Sequence, residues 1–170
     1  DTPAIELVIE AMKKIQQVTN RLVTAVPKIC RYDYVNAVVL NQAGQALVFE
    51  SPRQKSSGVY WQILSQFLSN NSDPFTAVQT ALFATTGHKT NHWSYLGSHS
   101  IDTEQDGGTG YYFCARQACQ ITPPQPNGHP TSLAKWVPLT DLRYALLDGR
   151  IANVSDALTV SLALLTLIRP

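Results

Sequence analysis

Charge is scarce in this chain. Only 15% of its 170 residues are Asp, Glu, Lys or Arg, against roughly 25% in a typical soluble domain, so Ser, Thr, Asn and Gln must cover much of the surface. Thirteen basic and twelve acidic residues leave a net charge of +1, and nowhere do Lys and Arg cluster densely enough to neutralise a run of phosphates. That argues against a nucleic-acid binder. Long apolar runs are missing too. Ala157–Ile168 falls short of the about 18 residues of a membrane helix and is interrupted by Thr159, Ser161 and Thr166, so no membrane span is expected. Cysteine is sparse and odd in number: Cys30, Cys114 and Cys119 offer neither a zinc-type spacing nor a disulfide framework. They are expected to be reduced and buried, in a cytoplasmic protein. The first residue is Asp1 rather than Met, which points to a processed chain or one excised from something longer, and no signal-peptide pattern accompanies it.

What is present suffices for one core. With 44% hydrophobic residues in 170, a domain of this size buries roughly 70% of its unfolded surface. From Ala4 to Val26 the residues Ile5, Val8, Ile9, Met12, Ile15, Val18 and Leu22 recur every three or four positions, an amphipathic helix that Pro27 ends. Val35–Leu40 and Ala46–Glu50 flank Gly44 as a hairpin, and Tyr60–Leu64 reads as a further strand. Ser65–Ser72 reads as a polar loop leading to Asp73-Pro74, where Asp73 can cap a helix whose first position is Pro74. Phe75, Val78, Ala81 and Leu82 give that helix one apolar stripe, and Gly87 supplies its left-handed close. Trp93–Ser98 and Tyr111–Arg116 are strand-like, separated by the acidic, glycine-rich Asp102–Gly110. Pro123, Pro124, Pro126 and Pro130 keep Ile121–Ser132 irregular. Order resumes at Trp136–Leu139, and helices follow at Asp141–Leu147 and Val154–Ile168, broken by Asp148-Gly149. The expectation is an α+β chain, with residues 1–30 as an N-terminal helix and connector and 31–170 as the main domain.

This order of elements resembles the Nudix hydrolases. The carrying residues are Val35–Leu40, Ala46–Glu50 with Arg53-Gln54, Trp61–Leu64, the helix ending at Thr86-Gly87, Leu96-Gly97, Tyr111–Ala115 and Trp136–Leu139. The tail, Leu142–Leu165 with Asp148-Gly149-Arg150-Ile151 and then Thr159, looks like the ADP-ribose pyrophosphatase branch. The resemblance implies an α/β/α sandwich around a mixed sheet, preceded here by the extra amphipathic helix. It also implies an ancestral activity, cleavage of a nucleoside diphosphate linked to another group.

The family's chemistry is nonetheless missing. Its signature places a glycine, a glutamate, an arginine-glutamate pair, two further glutamates and a closing glycine along a loop and helix. Aligned on Gly87, these positions fall on Gln66, Ser72, Thr80, Ala81, Ala84 and Thr85, with only the apolar Leu82 and Gly87 itself preserved. Family members hold Mg²⁺ or Mn²⁺ on the carboxylates of this helix, and such hard cations need oxygen ligands. The loop before the last helices offers no substitute base, since Gln125–Lys135 contains no carboxylate. Asp102, Glu104 and Asp106 could supply a non-standard ligand set, and Glu50 stands as an isolated carboxylate at a strand end. His88, His92 and His99 lack helical spacing for a metal, because Gly87 ends the helix before them. No catalytic residue and no cofactor is assigned.

Binding groups remain. Trp61 and Tyr111 offer faces for a nucleobase, while Arg53 and Arg116 could meet phosphates. The reading is a catalytically degenerate Nudix-type protein, a sensor of an ADP-ribose-like nucleotide or a module for a protein partner or second copy. The alternative is an active, Mg²⁺-dependent hydrolase with ligands of another kind.

Overall fold

The computed structural model describes residues 10–17, 32–54, 58–101, 107–123 and 133–167. The chain divides into two compact units, Asp1–Arg31 and Tyr32–Pro170. In the first, residues 10–17 are helical and form α1. Cys30, the rest of the amphipathic stretch, the acidic residues Asp102, Glu104 and Asp106, and most of the proline-rich connection lie outside the described residues.

Among its described residues the second unit is built on a mixed eight-stranded sheet. Strands β1 (Tyr34–Asn41) and β2 (Ala46–Pro52) form the expected hairpin. Gly44 adopts φ 73° in its turn, and the Asn41 side-chain oxygen accepts from the N–H groups of Ala43 and Gln45. β1 runs parallel to β7 (Thr109–Gln120), antiparallel to β4 (Leu64–Phe67), and β6 (His92–Ser100) closes the far side of β7. β2 is flanked antiparallel by β3 (Val59–Gln62) and β8 (Leu133–Val137). A two-residue strand, β5 (His88–Lys89), pairs with the end of β7. The polar loop expected at Ser65–Ser72 is therefore partly strand. Ser65, Gln66 and Phe67 point polar or exposed side chains outward from an edge, but their backbone pairs with Asn36, Val35 and Tyr34, so the absence of apolar alternation concealed β4.

Strand alternation sorts the side chains between two cores. Val38, Leu40, Val48, Trp61, Ile63 and Cys114 face helices α3 (Leu139–Leu147) and α4 (Val154–Leu167), meeting Leu142, Ala145, Val160 and Ala163. Val35, Ala37, Val39, Leu47, Phe113 and Ala115 face α2 (Pro74–Thr86) and meet Val78, Ala81 and Leu82. The result is an α/β/α sandwich. Cys114 is buried as expected, whereas Cys119, directly after the α2-facing Ala118 near the end of β7, is exposed rather than buried.

Helix α2 follows its sequence signals at both ends. The Asp73 carboxylate accepts from the Thr76 N–H at 2.8 Å and the Thr76 hydroxyl at 2.7 Å. Gly87 takes φ 69° and donates to the Phe83 carbonyl at 2.8 Å. Fully burying Val78 and Leu82 (0% and 1% exposed) contributes about 1.5–3 kcal/mol each. The cap holds the Asp73 carboxyl below its usual range, chiefly through the Thr76 hydroxyl and then the Thr76 N–H. A depressed folded-state pKa is stabilising above the unfolded value and lost as pH falls. Asp73→Ala is accordingly expected to lower the urea midpoint at neutral pH and to match the parent chain once the pH falls through that lowered value; pH-resolved urea melts check it.

Candidate functional site

At 100° per residue, Ala81, Ala84 and Thr85 lie on one flank of α2, and Gln79 and Phe83 on the other. Ala81 is buried at the sheet, Ala84 is exposed and Thr85 half-buried. These three are the positions at which the resemblance implies metal-holding glutamates. They present two methyl groups and one neutral hydroxyl, a donor set unsuited to Mg²⁺ or Mn²⁺. Nearby, Phe49 and Trp136 pack half-buried against the cluster that contains Ala81 and Leu82. The His88 ring lies 5.2 Å from that of Trp136, and its Nδ1 bonds the Thr86 carbonyl at 2.9 Å. Among the described residues no group of three His, Cys, Asp or Glu side chains could hold a metal ion. The other flank of α2 borders a groove of about 350 Å³ reaching Lys89 and Trp93, with the Lys89 ammonium 4.4 Å from the Phe83 ring.

Charged groups gather elsewhere, around the strand pair β2–β3. Register sets Glu50 opposite Trp61. The Trp61 indole N–H donates to Glu50 Oε2 at 2.9 Å, and Lys135, from β8, ion-pairs with Glu50 Oε1. Together these donors, Lys135 first, hold the Glu50 carboxyl below its usual range. The carboxylate that looked isolated in the sequence is therefore paired twice. The connection from α3 to α4 lies over the same place. Arg150 sets its guanidinium 4.3 Å from the Trp61 ring centre and ion-pairs with Asp148 at 2.8 Å. The Trp61 N–H donates to the Arg150 carbonyl at 2.7 Å. Arg53 donates to the Val59 carbonyl at 3.3 Å and to the Gly149 carbonyl.

Of the four side chains expected to bind ligand, Arg53 and Trp61 therefore meet in one cluster with Glu50, Lys135, Asp148 and Arg150. Trp61 is 6% exposed, with its edge on Glu50 and a face under Arg150. Tyr111 and Arg116 lie apart, on β7. Tyr111 is half-buried on the α2 side, opposite Val35 and Ser98. Arg116 sits across from His92 and borders a shallow depression of about 300 Å³ with Ser94 and Gln117. Lys135 and Asp148 were not among the expected site residues. The short Asp148-Gly149-Arg150 spacing is a usable local signal for one ion pair, while Lys135 reaches Glu50 only through the β2–β8 register.

Neither a protein-family model nor a curated protein matches this sequence. Solved structures do match the shape. One described as an ADP compounds hydrolase superposes with a TM-score of 0.66 at 11% identity, over 82% of this chain and 75% of its own. The ORF135 protein of E. coli superposes at 0.61 with 16% identity, over 82% of this chain and 94% of that one. A NUDIX hydrolase from Nitrosomonas europaea gives 0.55 and 14%, over 81% and 90%. The sandwich of α2, mixed sheet and α3–α4 is the Nudix hydrolase fold.

Proposed function

We propose that this Nudix-fold domain has lost metal-dependent hydrolysis and serves as a binding module for a nucleotide derivative of the ADP-ribose kind, coupled to a protein partner or a second copy of the chain in the cytoplasm. One observation carries the loss: α2 retains its cap at Asp73, its buried Leu82 and its closing Gly87, yet Ala81, Ala84 and Thr85 stand where carboxylates would gather a divalent cation. A helix kept for packing and emptied of its acids has a structural task only. The ADP compounds hydrolase that superposes here supports the ligand class. So do the cations around Trp61, where Arg53, Lys135 and Arg150 meet Glu50 and Asp148, with Asp141 also acting on Arg150. Carboxylates balance these cations, so a diphosphate has to compete with existing ion pairs, in a half-solvated setting where such a contact is worth little. Weak binding independent of metal follows.

The test is titration calorimetry of the full chain with ADP-ribose, with and without Mg²⁺, and assay of the same mixtures for AMP. The expected result is binding heat unchanged by Mg²⁺ and no AMP. Release of AMP that requires Mg²⁺ would overturn the loss of hydrolysis and direct attention to Asp102, Glu104 and Asp106. Absence of any heat would overturn the nucleotide and leave the protein partner.

A further inference from the structure

Between β3 and β4 the chain changes partners, from β2 to β1, and Ile63 belongs to neither ladder. Its residue is buried, 3% exposed, so its N–H would be costly to leave unpaired. The carboxylate of Asp156 lies within reach of that N–H, in the first turn of α4 and itself 2% exposed. Two more donors converge on that carboxylate. Asn36 Nδ2, from β1, reaches Oδ1 at 3.2 Å, and Asn153 Nδ2 reaches Oδ2 at 3.5 Å. Asn36 Nδ2 also donates to Thr159 Oγ1 at 3.4 Å. The other end of the same amide, Asn36 Oδ1, is buried without a partner.

Among the described residues no cation balances this carboxylate. Tyr34, two residues from Asn36 on β1, shares its α4-facing side and bonds the hydroxyl of Tyr112 at 2.7 Å. Tyr112 is the register partner of Asn36 on β7, with Cys114 two positions on. From β6, His99 lies with its ring 5.8 Å from that of Tyr112. From α3, Arg143 lines a groove with Leu164, two helical turns from Asp156, about 12 Å along the axis. Helix α4 contains no other charged residue.

We propose that Asp156 is a proton-operated latch on the first turn of α4: protonated, it seats the turn in the sheet; ionised, it works the turn loose toward water. Burial drives its carboxyl up to about 6, against the opposing pull of the Ile63 N–H and the Asn153 amide. A raised folded-state pKa means that the folded chain keeps a proton which the opened chain releases. The stabilising contribution is complete below the unfolded value near 4 and is lost as pH rises through 6. Once protonated, the carboxyl needs an acceptor, and half a turn of the Asn36 amide presents its unpartnered Oδ1. The segment leading into α4 carries the Gly149 carbonyl that receives Arg53 and the Arg150 carbonyl that receives the Trp61 N–H. Loosening the turn therefore slackens the Arg150 cover over Trp61. The latch is independent of what that cluster binds.

Hydrogen exchange of the full chain without ligand tests it, at pH 5 to 7.5, with rates corrected for intrinsic chemistry. Between pH 5 and pH 7 the amides of Ile63 and of 157–160 are expected to lose protection by about tenfold, while those of Val38 and Cys114 in the central strands keep theirs. Asp156→Asn is expected to abolish the dependence. Glu50, Asp73 and Asp148, all lowered, titrate below this window. Protection that stays flat with pH, a loss shared equally by Val38 and Cys114, or a dependence that persists in Asp156→Asn would each overturn the latch. Should that variant not fold, the series on the parent chain decides alone.

Discussion

Replacing Gly87 by alanine is expected to cost about 3 kcal/mol of stability, from two separable sources. The first is conformational. Gly87 sits at φ 69°, where a side chain meets its own backbone and pays about 1–2 kcal/mol. The second is contact. A Cβ there would lie 2.0 Å from the backbone carbonyl oxygen of Thr122 and 2.9 Å from its carbon. That strand end cannot retreat cheaply, because the Gly87 carbonyl accepts from the N–H groups of Ile121 and Thr122 at 2.9 and 3.3 Å. Forcing them apart adds about 1–3 kcal/mol of overpacking and undoes the short β5–β7 ladder. Gly44→Ala separates the sources: at φ 73° with nothing within 4 Å of the added Cβ, it bears the conformational cost alone. Urea melts of both variants should show a clearly larger loss for Gly87→Ala. Equal losses would mean that the Thr122 contact relaxes freely, and that the glycine is kept for helix closure only.

Trp61→Ala is expected to be more damaging still, by about 3–5 kcal/mol. The indole is 6% exposed in the α4-side core, among Val48, Ile63 and Ile151, and its removal leaves a large cavity. It also strips Glu50 Oε2 of the indole N–H and removes the ring under Arg150. Trp61→Phe keeps most of the apolar area and the surface on which the guanidinium rests. It should cost about 1 kcal/mol for the lost hydrogen bond, since Lys135 still pairs with Glu50. Denaturant melts distinguish the two outcomes. A Phe variant as unstable as the Ala variant would mean that the Glu50 bond, rather than packing, dominates at this position.

How readily each part could be read from the order of residues depends on the range over which it is decided. Helix α2 was legible to its last residue, because a capping Asp73, a first-turn Pro74 and a closing Gly87 act within four positions of the backbone they serve. The β1–β2 hairpin was legible for the same reason. Strand β4 was not. Its Ser65 and Gln66 side chains project to solvent, and the backbone pairing with Val35 and Asn36 leaves no mark in the residue types. The candidate site was half visible. Arg53 and Trp61 stood out as residue types, but their neighbours Glu50 and Lys135 lie 85 positions apart in the chain and meet only across β2 and β8. Nothing in the residue order sets Asp156 apart from any acid in a first helical turn, a place where carboxylates are favoured at the surface.

The missing acids at Ala81, Ala84 and Thr85 are a matter of composition at named positions, and no folding can restore a carboxylate that the chain does not encode there. Which of the remaining charges are free, and which are consumed by one another, is another kind of fact. It turns on strand register and on the splaying of the sheet at Ile63. Those features bring Asn36 and Asp156 together from 120 positions apart and seal them from water, where a polar group without a partner is costly.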